Sequence, residues 1–357
     1  MLPSAALASP SPAAAPSRPR LDGLTGLRFF AAAWVFAYHF LVLTVSGAPW
    51  WLSRAQNAGH AAVSLFFVLS GFVLAYNYGV ALADGRVTRA RFLWLRLARV
   101  WPLYALVALV EVPLALHAGT APARIGAATA ADLVGLQAWI PAITFVGNTP
   151  GWSVSVELFF YALFPWLALA TARRARVVIP IALGVALAAA ATPALVSPAS
   201  AAATFLKCGP LLRLPEFVVG IALGRAFVAR RTPLAPAAAN VLAAVATLAV
   251  VAIVLGSGAV PRYFLHALLL PAFALLLWAV ASGGARPLGW APLALLGEAS
   301  YGLYLMQMPL FSALGGKFEW PAARMLAFFG LLCALSIAVH FAVEKPAQRW
   351  LRARAPR

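Results

Sequence analysis

The run "RFFAAAWVFAYHF", residues 28–40, is almost wholly apolar, yet it opens on Arg28 and carries His39 one residue before its end. A charged side chain near the centre of a bilayer costs at least about 2.5–3.5 kcal/mol on insertion scales, so such groups face a protein interior or a wet cavity. At about 100° per residue, eleven positions make three turns plus roughly 20°, which puts both side chains on one helix face about 16 Å apart along the axis. A histidine so placed can take a proton near neutral pH. The pair therefore reads as a polar stripe leading from a helix end to a basic imidazole. The alternative is a snorkelling arginine and a histidine packed on a neighbouring helix.

Other polar groups recur in oily surroundings. In "GWSVSVELFFYALFP", residues 151–165, Trp152, Ser153 and Ser155 open an apolar stretch, and Glu157 lies about one turn in. A lone carboxylate there needs a partner. A helix-dipole contact is one reading; pairing with His39, which would fix the imidazole tautomer, is the other. Ser70 and Gly71 in "FFVLSGFVLAY" suit close helix packing. "RFLWLRLARVWPLY" brings Arg91, Arg96 and Arg99 to the start of an apolar segment. They serve as orientation signals and lipid-phosphate contacts, or as a clamp for an anionic cofactor, since the guanidinium fork fits phosphate. Arg213 and Glu216 can pair at i,i+3. Glu298, Ser300, Tyr301, Tyr304 and Gln307 recur at helical spacing and are expected to line the same interior. His60, His117 and His266 fall near segment ends and take no role here; that of His340 stays open.

The elements that must hold these groups are membrane helices. Of the 357 residues, 63% are hydrophobic and 10% charged, and mean hydropathy is +0.89. Soluble domains carry about 25% charged residues. Ten apolar spans can be drawn, about 24–46, 61–79, 92–116, 153–172, 177–196, 205–228, 236–256, 262–281, 291–313 and 322–343. Backbone groups in lipid must pair internally, so each is a helix. The expected fold is all-α, a polytopic integral membrane bundle of about ten transmembrane helices. Of the 27 Lys and Arg, most fall on the side of both termini and few on the other, which predicts cytosolic termini and an even number of spans. That asymmetry also accounts for the net charge of +18 without nucleic acid. Residues 1–20, rich in Pro, Ala and Ser, read as a disordered cytosolic tail, 21–350 as one membrane domain and 351–357 as a basic tail. Cys208 and Cys333 have no metal or redox spacing. With no Walker loop, dinucleotide fingerprint or Cys/His cluster in the sequence, ATP hydrolysis and structural metal are not expected.

In order along the chain, "LDGLTGLRFFAAAWVFAYHF", "AAVSLFFVLSGFVLAY", "RFLWLRLARVWPLY", "WSVSVELFFYALFP", "SYGLYLMQMP" and "VEKPAQRW" form a set. This set resembles acyltransferase family 3, the membrane proteins that include O-antigen, exopolysaccharide and macrolide O-acyltransferases. The resemblance implies a plasma (inner) membrane enzyme moving an acyl group, commonly acetyl, from cytosolic acyl-CoA to a hydroxyl of a carbohydrate or glycosylated acceptor. It matches Arg28 and His39 to the family's Arg-x10-His signature and makes the histidine essential. Ser70 to Phe72 match its Ser-Gly-Phe motif, and Trp152, Ser153, Ser155 and Glu157 its Trp-Ser-x-Ser-x-Glu motif. Three positions depart from it. Thr25 and Lys345 stand where arginine is frequent, and Gln307 stands where histidine is frequent. The expected site therefore has His39 as general base, oriented by Glu157, with Arg28, Arg91, Arg96 and Arg99 on the phosphates of acyl-CoA. Ser70, Trp152, Ser153, Ser155 and Tyr304 would touch the substrate. An acyl-histidine intermediate and direct transfer both stay open. A transporter using an Arg/His/Glu path is the rival reading.

Overall fold

The computed structural model describes residues 18–41, 49–192, 196–197, 200–230, 232, 234–259, 262–316 and 320–356; residues 1–17 of the expected tail and Lys317 lie outside them. Among the described residues the chain is helical, with no strand. The elements are α1 (Asp22–Phe40), α2 (Trp50–Asn57), α3 (Ala62–Ala83), α4 (Arg89–His117), α5 (Pro122–Leu133), α6 (Trp152–Ala191) and α7 (Ala201–Cys208). They continue as α8 (Leu214–Ala229), α9 (Pro236–Gly256), α10 (Arg262–Ala281), α11 (Ala291–Glu298), α12 (Ser300–Ala313), α13 (Ala322–Val339) and α14 (Lys345–Arg352). A π-helical turn, His340–Glu344, joins the last two.

Six helical segments among these are long and apolar enough to cross a membrane. This count is lower than the ten spans drawn from hydropathy because several expected spans are broken or merged. The stretch 291–313 is two short helices that meet at Ala299. The stretch 205–228 is interrupted between α7 and α8. The spans expected at 153–172 and 177–196 run together in α6, and the cationic segment between them is a kink at Arg174 (φ −137°, ψ 37°) rather than a loop. Side chains such as Ile181, Val241, Leu248 and Leu326 are exposed on the outside of the bundle, as lipid-facing positions should be.

Two packing devices fix the interior. Helices α3 and α8 touch backbone to backbone: a Cβ at Gly71 would press into the Phe217 carbonyl, one at Gly220 into that of Val68, and one at Gly224 into that of Phe72. Small residues permit this approach, which maximises dispersion contact where lipid offers no hydrophobic drive. Beside the seam, Phe160 stacks on Phe217 at 4.7 Å and meets Phe67 edge-on at 5.1 Å, tying α6 to both helices. On the other flank Phe40, Phe311 and Phe328 cluster to seat α1 against α12 and α13.

Candidate active site

A cavity of about 150 Å³ opens between the start of α1, the middle of α3 and the starts of α4, α6 and α12. Its polar lining includes Arg28, Arg96, Arg99, Ser70, Glu157 and Tyr301. Thr88 caps α4 by accepting from the Arg91 backbone N–H at 3.2 Å, which sets the register that turns Arg96 and Arg99 inward. Arg96 donates to the Tyr78 hydroxyl at 2.8 Å, and its buried Nε has no hydrogen-bond partner among the described residues. Ser70 and Tyr161 donate to Oε1 of Glu157 at 2.9 and 2.6 Å. The cavity thus brings three guanidinium groups to one carboxylate that is already hydrogen-bonded, an electropositive setting suited to an anion.

Arg99 is anchored from behind. Its Nη1 donates to Oε2 of the buried Glu344 at 3.0 Å, and the same oxygen lies 3.0 Å from Nδ1 of His340. His340 reaches Glu298 at 3.3 Å, and Arg20 and Lys345 also pair with Glu298. The π-helical turn widens the helix by one residue and carries Glu344 inward, so this is the use to which the irregularity is put. Sequence periodicity assigned His340 no role, because the turn breaks the 3.6-residue period just there.

His39 lines a second chamber, of about 230 Å³, at the far end of α1. His60, His266, Lys207, Arg213 and Trp152 also face it. Gln307, fully buried, holds the imidazole: its Oε1 lies 3.2 Å from Nδ1, while its Nε2 donates to the Tyr304 carbonyl at 2.8 Å. The carbonyl can only accept, so the amide orientation is fixed and Oε1 faces the ring. Oε1 in turn can only accept, so Nδ1 carries the proton and Nε2 the lone pair. The two cavities share Tyr304 and Val63 as a partition. The Tyr304 hydroxyl is 2.8 Å from Ser153 Oγ, which donates to the Pro150 carbonyl at 3.1 Å.

Three expectations are corrected by this geometry. Glu157 does not orient His39: its carboxylate is engaged by Ser70 and Tyr161 and lines the arginine cavity, and Gln307 occupies the place beside the imidazole. Arg91 does not join the other arginines; it is half-buried, lines neither cavity, and donates to the Pro356 carbonyl at 3.1 Å, because its position on α4 turns it toward the C-terminal segment. Ser155 is fully buried away from both cavities, donating to the Gly135 carbonyl at 2.6 Å and accepting from the Ala138 N–H at 3.2 Å, so it ties the loop before α6 in place. Arg28, Arg96, Arg99, Ser70, Ser153 and Tyr304 do border the first cavity, and His39, Trp152 and Tyr304 the second. His60 and His266 were missed; their rings meet edge-on at 5.0 Å, and His266 Nδ1 lies 2.7 Å from Ser64 Oγ.

Residues 21–344 match the family model of the acyltransferase domain known as acyltransferase family 3. The chain belongs to acyltransferase family 3. It is 31% identical to "Acyltransferase MdmB" of Streptomyces mycarofaciens, the alignment covering 94% of each chain. It is also 33% identical to "Protein 2 in picA locus" of Rhizobium radiobacter over 47% of this chain and 93% of that protein. No solved structure matches. As a member of acyltransferase family 3 the protein is a membrane enzyme that transfers acyl groups. The family thereby disposes of the transporter reading.

Proposed function

We propose that the protein is a membrane O-acyltransferase that takes an acyl group, acetyl by family resemblance, from cytosolic acyl-CoA and delivers it to a hydroxyl of a carbohydrate or glycosylated acceptor. The bundle lies in the plasma (inner) membrane with both termini in the cytosol. Arg28, Arg96 and Arg99 attract the anionic donor, and their convergence on one cavity supports an anion at that end. A space of about 150 Å³ holds the acyl-thioester end of the donor rather than the whole molecule. Acceptor enters the His39 chamber. Nε2 of His39 takes the proton of the acceptor hydroxyl as its oxygen attacks the thioester carbonyl. The C–S bond breaks, and the departing thiolate of CoA receives that proton from the imidazolium. General-base help of this kind is worth roughly 10²–10⁴-fold.

The single observation that carries this reading is the partition: two cavities, one lined by arginines and one by the lone-pair nitrogen's ring, share the wall of Tyr304 and Val63. The test is a His39→Ala protein, shown to be folded and inserted, assayed with labelled acetyl-CoA. Acylation at the parental rate by that variant would end the proposal.

A further inference from the structure

The His39 chamber has a charge that general-base chemistry does not need. Lys207 and Arg213 both face it, and among the described residues its lining contains no Asp or Glu. Arg213 is met by Glu216 at 3.0 Å and also donates to Ser64 Oγ at 2.9 Å. Lys207 rests over the Phe145 ring at 5.1 Å and has no carboxylate within ion-pair distance among the described residues. An ammonium that faces a chamber with no carboxylate in its described lining, together with a guanidinium, is the recognition chemistry of an anion.

We propose that this chamber is a subsite for an anionic substituent, carboxylate or phosphate, on the sugar that is acylated, with Lys207 as its specificity-determining residue. The subsite stands on the chamber's own charge; only the word acceptor rests on the function proposed above. Lys207 meets the anion, the guanidinium of Arg213 adds positive charge to the same lining, and the sugar ring is left between Trp152 and His39 with a hydroxyl toward the imidazole.

The experiment is isothermal titration of the purified protein in detergent, without acyl donor, with methyl glucuronide, glucose 1-phosphate and methyl glucoside. One or both anions are expected to bind about tenfold more tightly than the neutral glucoside, the weight of one charge-assisted hydrogen bond. The preferred anion names the substituent. Lys207→Gln is expected to abolish the preference and Lys207→Arg to keep it. Equal affinity for the neutral sugar, binding of none of the three, or a preference that survives Lys207→Gln overturns the proposal. Release of free thiol from acetyl-CoA is followed on the same preparation. If anions bind as expected but no thiol is released, the acyl-transfer reading fails and the subsite stands. If thiol is released but anions are not preferred, the reverse holds.

Discussion

Gln307→Leu is the sharpest probe of the imidazole's setting. The substitution keeps side-chain bulk in a fully buried position and removes the acceptor 3.2 Å from Nδ1 of His39. Two effects follow. A buried imidazole N–H loses its partner, which costs about 1–3 kcal/mol, and nothing then holds the lone pair on Nε2. If that loss is felt in the transition state, where the ring gains charge, each 1.36 kcal/mol is about tenfold in rate, so kcat should fall by roughly 5- to 150-fold. The fall cannot exceed that of His39→Ala, bounded at roughly 10⁴-fold by the worth of general-base catalysis. Gln307 does not line the arginine cavity, so KM for acetyl-CoA should stay put. Gln307→Glu restores the acceptor for Nδ1 but sets its second oxygen against the Tyr304 carbonyl, which accepts from the native amide at 2.8 Å, so it should recover the rate only in part. The assay is thiol release from acetyl-CoA by purified, folded protein at saturating acceptor. A Gln307→Leu enzyme with parental kcat, or one whose loss lies in donor KM, would refute the reasoning.

Other outcomes follow from the same geometry. Arg99→Ala should raise the KM for acetyl-CoA about tenfold or more, as loss of a charge-assisted contact does, whereas Arg91→Ala should leave it unchanged because Arg91 does not line the cavity and is held by the Pro356 carbonyl; steady-state kinetics on both variants checks this. Gly71→Ala should destabilise the fold by about 1–3 kcal/mol, since the new methyl meets the Phe217 backbone rather than a side chain that can move; thermal melting in detergent reads it. Asp132, in the connection outside the spans, is raised to about 7 by burial, with Glu111 adding to the rise and the hydrogen bond from Tyr104 opposing it. The unfolded carboxyl releases its proton near 3.9, so this group's share of stability is intact below that pH and is lost as pH rises toward about 7. Asp132→Asn, which keeps an acceptor for Tyr104, should flatten the decline between about pH 4 and 7, and melting curves across that range test it.

Much of the site was legible because one helix's periodicity suffices for it. Arg96 and Arg99 are neighbours at i,i+3, and Ser300, Tyr301 and Tyr304 recur along α12; both groups border the first cavity, whereas Arg28 and His39, read as one stripe, border different cavities divided by Tyr304 and Val63. What spacing cannot supply is which helix stands opposite. Gln307 is 268 positions from His39 and His266 is 202 from Ser64, so their pairing depends on how the bundle closes. Glu157 shows the same limit from the other side. Its depth matched that of His39, yet depth along two helices says nothing of azimuth, and α3 stands nearer with Ser70. The span count suffered from breaks at Ala299 and between α7 and α8 that hydropathy averages away. Arg91 was grouped with Arg96 and Arg99 by proximity in sequence, although the C-terminal segment holds it outside.

The wall of Tyr304 and Val63 also constrains the order of events. Because each compartment has its own lining, occupancy of one leaves the other's entrance untouched, and neither reactant must queue behind its counterpart. Initial-rate plots should then intersect rather than run parallel, and the spent carrier should compete with fresh thioester while leaving acceptor saturation intact. Transfer itself must still pass that wall, so the Tyr304 phenol has to stand aside once both compartments are filled.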